Sequence, residues 1–420
     1  MTSGWPQDSV YENPGNLSPA QKTSLKKFWS ILLRLFRTED GISKEWLESF
    51  PSREDAPPET DDLRKALDEF TGSSLRDEFY RFLRHDYADL LPMRFLKARG
   101  WQVDVAMRML LTCLSFRRAN IARAMTSEVE GTPEFLAALH RGKSFVPCYD
   151  DRGRTVTYIK LAHHARGDCS QDVFERYTLY AMEHAHLLHL PRQDRTVLLV
   201  DMTGFYITTL DLGAIKFIIN NFEMYYPEEL SEGVIHNAPW LFSTAWAAIK
   251  PLLRPVTREK ITFTSSLAQL AAKIGLAEAQ KVVKAKVDYI PRPPEAGEAP
   301  FRDQSRDLSS ATPACREAFA TWNANLDEFE EVTRRWCVEV PATAGAAAAA
   351  PEAQRGDVEA DRSACAWKLS RSYWLIDEYV RPRSYYDRAG LLPPSADSAL
   401  NLSSTQSKAG SFKSVKSSRS

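Results

Sequence analysis

Residues 225–263 read YYPEELSEGVIHNAPWLFSTAWAAIKPLLRPVTREKITF. The run holds a strand (GVIHN, 233–237), an amphipathic helix (STAWAAIKPLLR, 243–254) and a second strand (ITFT, 261–264). Three residues with charge or a hydroxyl, Glu228, Thr257 and Lys260, stand where the apolar pattern breaks. A long apolar helix beside a small polar cluster suits a phospholipid: the tails need apolar wall, and the headgroup needs a cation and hydrogen bonds.

The pattern on either side extends this reading. TVTYIKL (155–161) and TVLLVDMTG (196–204) read as strands, the second apolar throughout, as when both faces of a sheet are covered. Helices are expected over 170–189 and 211–225, the latter with Leu212, Ile215, Ile218, Ile219 and Phe222 on one face. Strands alternating with helices argue an α/β fold with a mostly parallel sheet flanked by helices.

Before the sheet, residues 63–130 read as a helical bundle, with Gly100 ending one helix before the next begins. Pro19–Arg37 reads as a basic amphipathic helix with Leu25, Phe28, Trp29, Leu32, Leu35 and Phe36 on one face. Such a helix either lies on an anionic membrane or docks on the body of the protein. After the sheet, 316–337 and 361–380 read as helices of a C-terminal extension. The expected division is 1–62 (disordered start, basic helix and Pro-rich linker), 63–130 (N-terminal bundle), 131–290 (α/β domain), 291–392 (helical extension) and 393–420 (disordered Ser/Lys-rich tail). The alanine-rich stretch 344–357 reads as a flexible loop.

Composition excludes several classes. The net charge is −1 in 420 residues, so no overall field favours nucleic acid. Six widely spaced cysteines, none in CxxC, read as reduced buried thiols. No signal-peptide core and no bilayer-length apolar run is found, which implies a cytoplasmic protein with at most peripheral membrane contact. GxGxxG after a strand, the P-loop, GxSxG and HExxH are all missing, so nothing marks an enzyme or a cofactor site. His186 and His189 lie one turn apart but lack a third ligand of credible spacing, so no metal site is expected.

RFLKARGWQVDVAMRMLLTCLSFRR, then VLLVDMTGF, YYPE, IHNAPWLFSTAWAAIKPLL and PVTREKI, in that order, resemble the landmarks of the CRAL-TRIO lipid-binding family, yeast phosphatidylinositol-transfer type. The match spans 75–290, and the C-terminal YWLIDEYVRPRSYYDRAGLL is similar to a fungal subgroup. The resemblance implies a CRAL-TRIO fold with an N-terminal helical bundle. It also implies a monomeric phosphatidylinositol-transfer protein that meets membranes and carries a bound phospholipid as ligand rather than a cofactor. By resemblance, Arg99, Glu228, Thr257 and Lys260 recognise the inositol headgroup. The cation pair of the family reads Arg99-Gly100 here. Positions for a second lipid, phosphatidylcholine, match Thr196 and Leu198, so only Thr196 keeps a hydroxyl. Phe242, Ala245, Trp246, Ile249 and Leu253 would form a gate helix over the cavity, with Pro251 as hinge. Trp240 and Trp246 would touch the membrane. Two other readings stand beside this one. The first is a carrier of sterol, squalene or haem, with Tyr158 and His236 as haem candidates. The second is an α/β lipid hydrolase.

Overall fold

The computed structural model of the chain describes residues 16–38, 68–125, 132–190, 193, 195–206, 210–284, 311–338, 352–388 and 391–392. The expected linker 51–62, most of 291–312, the alanine run up to Pro351 and the tail 393–420 lie outside them. Among the described residues, the elements in chain order begin with four helices: α1 (Pro19–Leu35), α2 (Gly72–Leu83), α3 (Leu90–Ala98) and α4 (Val103–Ala124). The sheet region follows with α5 (Pro133–His140), β1 (Ser144–Tyr149), β2 (Thr155–Lys160), α6 (Gln171–Leu187), β3 (Thr196–Asp201), α7 (Leu212–Tyr225) and β4 (Leu230–His236). It continues with α8 (Phe242–Ile249), α9 (Pro255–Glu259), β5 (Ile261–Thr264), α10 (Leu267–Ile274) and α11 (Leu276–Lys284). The chain closes with α12 (Pro313–Val338), α13 (Glu352–Val380) and α14 (Tyr385–Arg388).

Two compact units result: residues 1–120 with 304–380, and residues 121–303 with 381–420. In the first, Ser18 and Gln21 cap α1 reciprocally, and Pro19 takes the first helical position. The apolar face of α1 is buried against α12 and α3 rather than left for a membrane. Trp29 packs edge-on to Phe79 and Phe329, at 5.7 and 5.4 Å between ring centroids. Even the charged Lys26 is buried, its ammonium 4.9 Å from the Trp336 ring centre. The membrane reading of this helix is therefore replaced by docking. Helix α13 starts at Glu352, nine residues before the expected start at Asp361. The segment EAQRGDVEA is rich in good helix formers, and they outweigh the single Gly356. Helix α3 ends as its sequence predicts, with Gly100 at φ 57°.

A buried charged cluster ties the early helices to the late ones. Asp89 accepts from Trp29 Nε1 at 2.7 Å, and from Arg362 Nη1 and Nη2 at 2.7 and 2.5 Å. Arg362 Nε also donates to Thr333 Oγ1 at 3.1 Å. Every partner in this cluster is buried.

The second unit is built on a five-stranded sheet in the order β1-β2-β3-β4-β5. β1 runs antiparallel to β2, and the remaining pairs are parallel. β1 was not expected from sequence. Its Pro147 breaks the strand pattern, and the pairing with β2 shifts register between Phe145 and Cys148. An edge strand tolerates that defect, because no further strand needs the missing N–H. The C-terminal segment returns to this edge. The Val146 amide donates to Tyr386 Oη at 3.3 Å, and the Tyr386 ring stacks on His184. Arg381 grips Asp387 with two bonds of 2.7 and 2.8 Å. Burial would raise the Asp387 carboxyl, but the Arg381 bonds outweigh it and hold the group well below the usual carboxylate range.

Asp89→Ala leaves Arg362 as a buried unpaired cation, and is expected to cost about 3–5 kcal/mol of stability in urea denaturation.

Candidate functional site

The two faces of the sheet differ. On one, Val156, Tyr158, Val197, Leu199 and Val234 are fully buried. On the other, register aligns Thr157 with Leu198 and Gly233, and Ile159 with Val200 and Ile235. There Ile159, Leu198, Val200 and Ile261 are only half-buried, although three of them sit on inner strands. The helix above shows the same shortfall: in α7 only Ala214 and Asn221 are buried, and Ile215, Ile218, Ile219 and Phe222 remain half-buried. Apolar groups on both walls with space between them define a cavity. It lies between α6 and α7 over β2 and β3, with about 930 Å³ of empty space, open mouth included.

Beside it, α8 covers the β4–β5 side. Phe242, Ala245, Ile249 and Leu253 are buried in a cluster with Met202 and Ile235, and Trp246 packs against that cluster. The helix stops at Ile249, and Lys250–Leu252 form a 3₁₀ turn around Pro251, where the sequence placed the weak point. Gly233 on β4 makes room for this arrangement, since a Cβ there would meet Ile261 Cδ1 at 2.4 Å. Around α8, Trp240 is 83 % exposed, and Leu241, Leu252, Val256 and Phe263 are exposed too.

The polar cluster forms where α7 turns into β4. Glu228 has φ 61°, a left-handed conformation unfavourable for a residue with a Cβ. Its Oε2 lies 3.6 Å from Lys260 Nζ and 3.7 Å from Arg195 Nη1. Lys260, the residue capping α9, also donates to the Leu230 carbonyl at 2.9 Å. The ammonium is thus fixed by a carbonyl on one side and a carboxylate on the other. Thr257, grouped with Lys260 by resemblance, turns instead to Glu223: its hydroxyl donates to Oε1 at 2.8 Å. Glu223 also accepts from the Arg254 amide at 3.0 Å and pairs with Arg254 Nε at 3.2 Å. The divergence follows from Lys260 lying where the chain leaves α9 for β5. The structure thus brings Glu228 and Lys260 together, while Thr257 joins Glu223 instead, none of the three lines the cavity, and Arg99 belongs to the first unit.

Arg195, Glu223 and Arg254 were not singled out from sequence. Glu223 carried a faint signal, a carboxylate in the last turn of an otherwise apolar helix. Arg195 gave none. Thr196 is buried, its hydroxyl shared with Thr155 Oγ1 at 2.9 Å and His189 Nε2 at 3.1 Å, and it does not line the cavity, whereas Leu198 does.

The haem candidates face away from the cavity, because Tyr158 and His236 alternate with the residues that line it. Tyr158 donates to Asp201 Oδ2 at 2.6 Å, and burial together with that bond pushes its phenol up. His236 Nδ1 is 2.8 Å from Thr264 Oγ1, and burial lowers its pKa. His186 pairs with Glu229 at 2.8 Å. Among the described residues, no group of three or more His, Cys, Asp or Glu could hold a metal. No helix among them is long and apolar enough to cross a membrane.

The second unit thus holds a parallel sheet with an apolar cavity over one face, and a polar cluster around Glu228 and Lys260 whose residues do not line that cavity. The CRAL/TRIO domain profile matches residues 139–281, and the CRAL/TRIO N-terminal domain profile matches 59–112. A CRAL-TRIO domain-containing protein of Schizosaccharomyces pombe is 31 % identical over 345 residues, covering 81 % of this chain and 74 % of the relative. The chain belongs to the CRAL-TRIO family, as its motifs suggested. The phosphatidylinositol transfer protein CSR1 of Eremothecium gossypii is 28 % identical over 353 residues, covering 79 % of this chain and 74 % of its own. The crystal structure of Sfh5 aligns with a TM-score of 0.43 and 17 % identity, over 61 % of this chain and 84 % of that one.

Glu223→Ala removes three contacts that start α9. It is expected to cost about 1–2 kcal/mol in thermal denaturation, and to speed hydrogen exchange at amides 254–260.

Proposed function

We propose that this chain binds phosphatidylinositol and carries it between membranes. The inositol phosphate would sit at the Glu228–Lys260–Thr257 corner and the acyl chains in the cavity. The observation that carries this reading is the state of the polar groups at that corner. Lys260 is preset as a phosphate-binding ammonium, held by Glu228 and the Leu230 carbonyl. The Thr257 proton is engaged by Glu223, so its oxygen offers lone pairs only. Lone pairs repel a phosphate oxygen and accept from a sugar hydroxyl. A cation beside an acceptor suits a phosphate joined to a polyol better than one joined to choline. Arg99, on the first unit, is proposed as a further cation by family resemblance alone.

In this reading α8 is the gate. Its hinge is the Pro251 turn, and the exposed rim of Trp240, Leu252 and Val256 meets the bilayer as the helix opens. Apolar burial of the chains in the cavity offsets the cost of leaving the membrane. The protein would act as a cytoplasmic monomer that visits membranes and performs no covalent chemistry.

The double variant Thr257→Val, Lys260→Ala is expected to transfer phosphatidylinositol between vesicles at least tenfold more slowly while keeping a cooperative unfolding transition, lowered only by the loss of the Thr257–Glu223 and Lys260–Leu230 bonds. Normal transfer by the folded variant would sink the headgroup assignment. Trp240→Glu is expected to weaken sedimentation with vesicles while leaving binding of micellar phosphatidylinositol intact. Equal loss in both assays would assign Trp240 to the cavity instead.

A further inference from the structure

Parallel strands start at one edge of a sheet, so the residues that precede them line up there. Arg195 immediately precedes β3, Glu228 lies two residues before β4, and Lys260 immediately precedes β5. Register sets Thr196 beside Leu230 and Ile261 beside Gly233. Backbone bonds fix both cation-bearing segments to the β4 chain. The Thr196 amide donates to the Glu229 carbonyl at 2.8 Å, and the Gly233 amide to the Lys260 carbonyl at 2.9 Å. The topology therefore sets one carboxylate between two cations, in the order Arg195, Glu228, Lys260. Arg154, which precedes β2, is already held by Asp150 at 2.6 Å and Ser231 Oγ at 2.7 Å.

The backbone that carries Glu228 is held in place. Residues 226–229 form a turn closed by the Glu229 amide on the Tyr226 carbonyl at 3.4 Å. Pro227 stands second and Glu228 third, at φ 61°. That is the pattern of a type II turn, whose third residue needs positive φ and is ordinarily glycine. Both ends of the turn are anchored on α6: Tyr226 Oη donates to Glu183 Oε1 at 2.5 Å, and His186 Nδ1 is 2.8 Å from Glu229 Oε1. What remains adjustable is the Glu228 side chain. Its Oε2 stands 3.7 Å from Arg195 Nη1 and 3.6 Å from Lys260 Nζ, beyond hydrogen-bond length on both sides. The side chains open outward along the row, Arg195 being 9 % exposed, Glu228 11 % and Lys260 23 %. Resting on the reading of Lys260 as the phosphate-binding ammonium, we propose that Arg195 is the positioning residue of that site, drawing Glu228 off Lys260 as phosphate binds. A phosphate arriving from solvent meets Lys260 first, since that cation is the most open of the three. There it faces the Glu228 carboxylate, and two like charges at such range repel. A short swing takes Glu228 to the Arg195 guanidinium, whose planar fork accepts a carboxylate through two bonds.

The test is a double-variant cycle, read as the affinity of the purified full chain for micellar phosphatidylinositol. Arg195→Gln is expected to weaken binding about tenfold, because Glu228 is then left with Lys260. In the Glu228→Gln background the same substitution is expected to change affinity by less than about twofold, since no carboxylate remains to be drawn away. A merely structural role for Arg195 gives the same loss in both backgrounds. That result, or an unchanged affinity of Arg195→Gln alone, overturns the proposal. Lys260→Ala separates the two readings. Lost binding in Lys260→Ala, with no rescue of Arg195→Gln by Glu228→Gln, refutes the role of Arg195 and leaves the headgroup assignment standing. Unchanged binding in Lys260→Ala refutes both. Arg195→Met carries the same cycle if glutamine at this buried position prevents folding.

Discussion

A parallel sheet has to cover both of its faces, and in this chain one face is covered incompletely. Strand β3 lies in the middle of the sheet, yet Leu198 and Val200 are half-buried while Val197 and Leu199 on its other side are closed. Apolar surface left in contact with water costs roughly 25 cal/mol per Å². The gap therefore works against stability unless a ligand fills it. The other features of the second unit are arranged around that gap. Helix α7 keeps an apolar face that it does not bury, and α8 closes the neighbouring part of the sheet with a cluster that ends at a proline. The turn between α7 and β4 places Glu228 in an unfavourable conformation, where it meets Lys260. A large apolar cavity and a strained polar turn are both features that a self-sufficient domain would not need.

The first unit follows the opposite logic. Its helices bury their apolar faces on one another, and its central ion pair is enclosed and matched on both oxygens of Asp89. This contrast explains why α1, basic and amphipathic in sequence, does not serve a membrane. Its apolar face already has a protein partner in α12, and one of its lysines rests on Trp336. A hydrophobic stripe states only that burial is needed, not against what.

Much of the fold was legible because the signals were local. The alternation of 155–161, the apolar run at 196–204, the turn at Gly100 and the break at Pro251 each act over a few residues. β1 was hidden because Pro147 opposes a strand, and only an edge position with a bulge accommodates it. The start of α13 was hidden because an alanine-rich run beside proline and glycine reads equally as loop. In the candidate site, Glu228, Thr257 and Lys260 were marked by motif and by family resemblance. Their partners Arg195 and Glu223 were not, since each pairing depends on chain crossings that no spacing reveals.

The polar corner can also be judged by what it excludes. Glu228 lies near two cations, so the corner holds local positive charge without being strongly basic. In the proposed reading, a ligand phosphate would share Lys260 with a carboxylate already in place, which would temper its affinity. A corner built for the tightest anion binding would leave out Glu228 and avoid the strained turn that presents it. Under that reading the cargo would have to be released at a second membrane, and tight binding, expressed mainly as slow dissociation, would oppose release. Glu228 therefore fits a role in positioning the ammonium and limiting its hold together. The hydroxyls of the headgroup, read by the acceptor oxygen of Thr257, would then supply selectivity that a charge alone does not give.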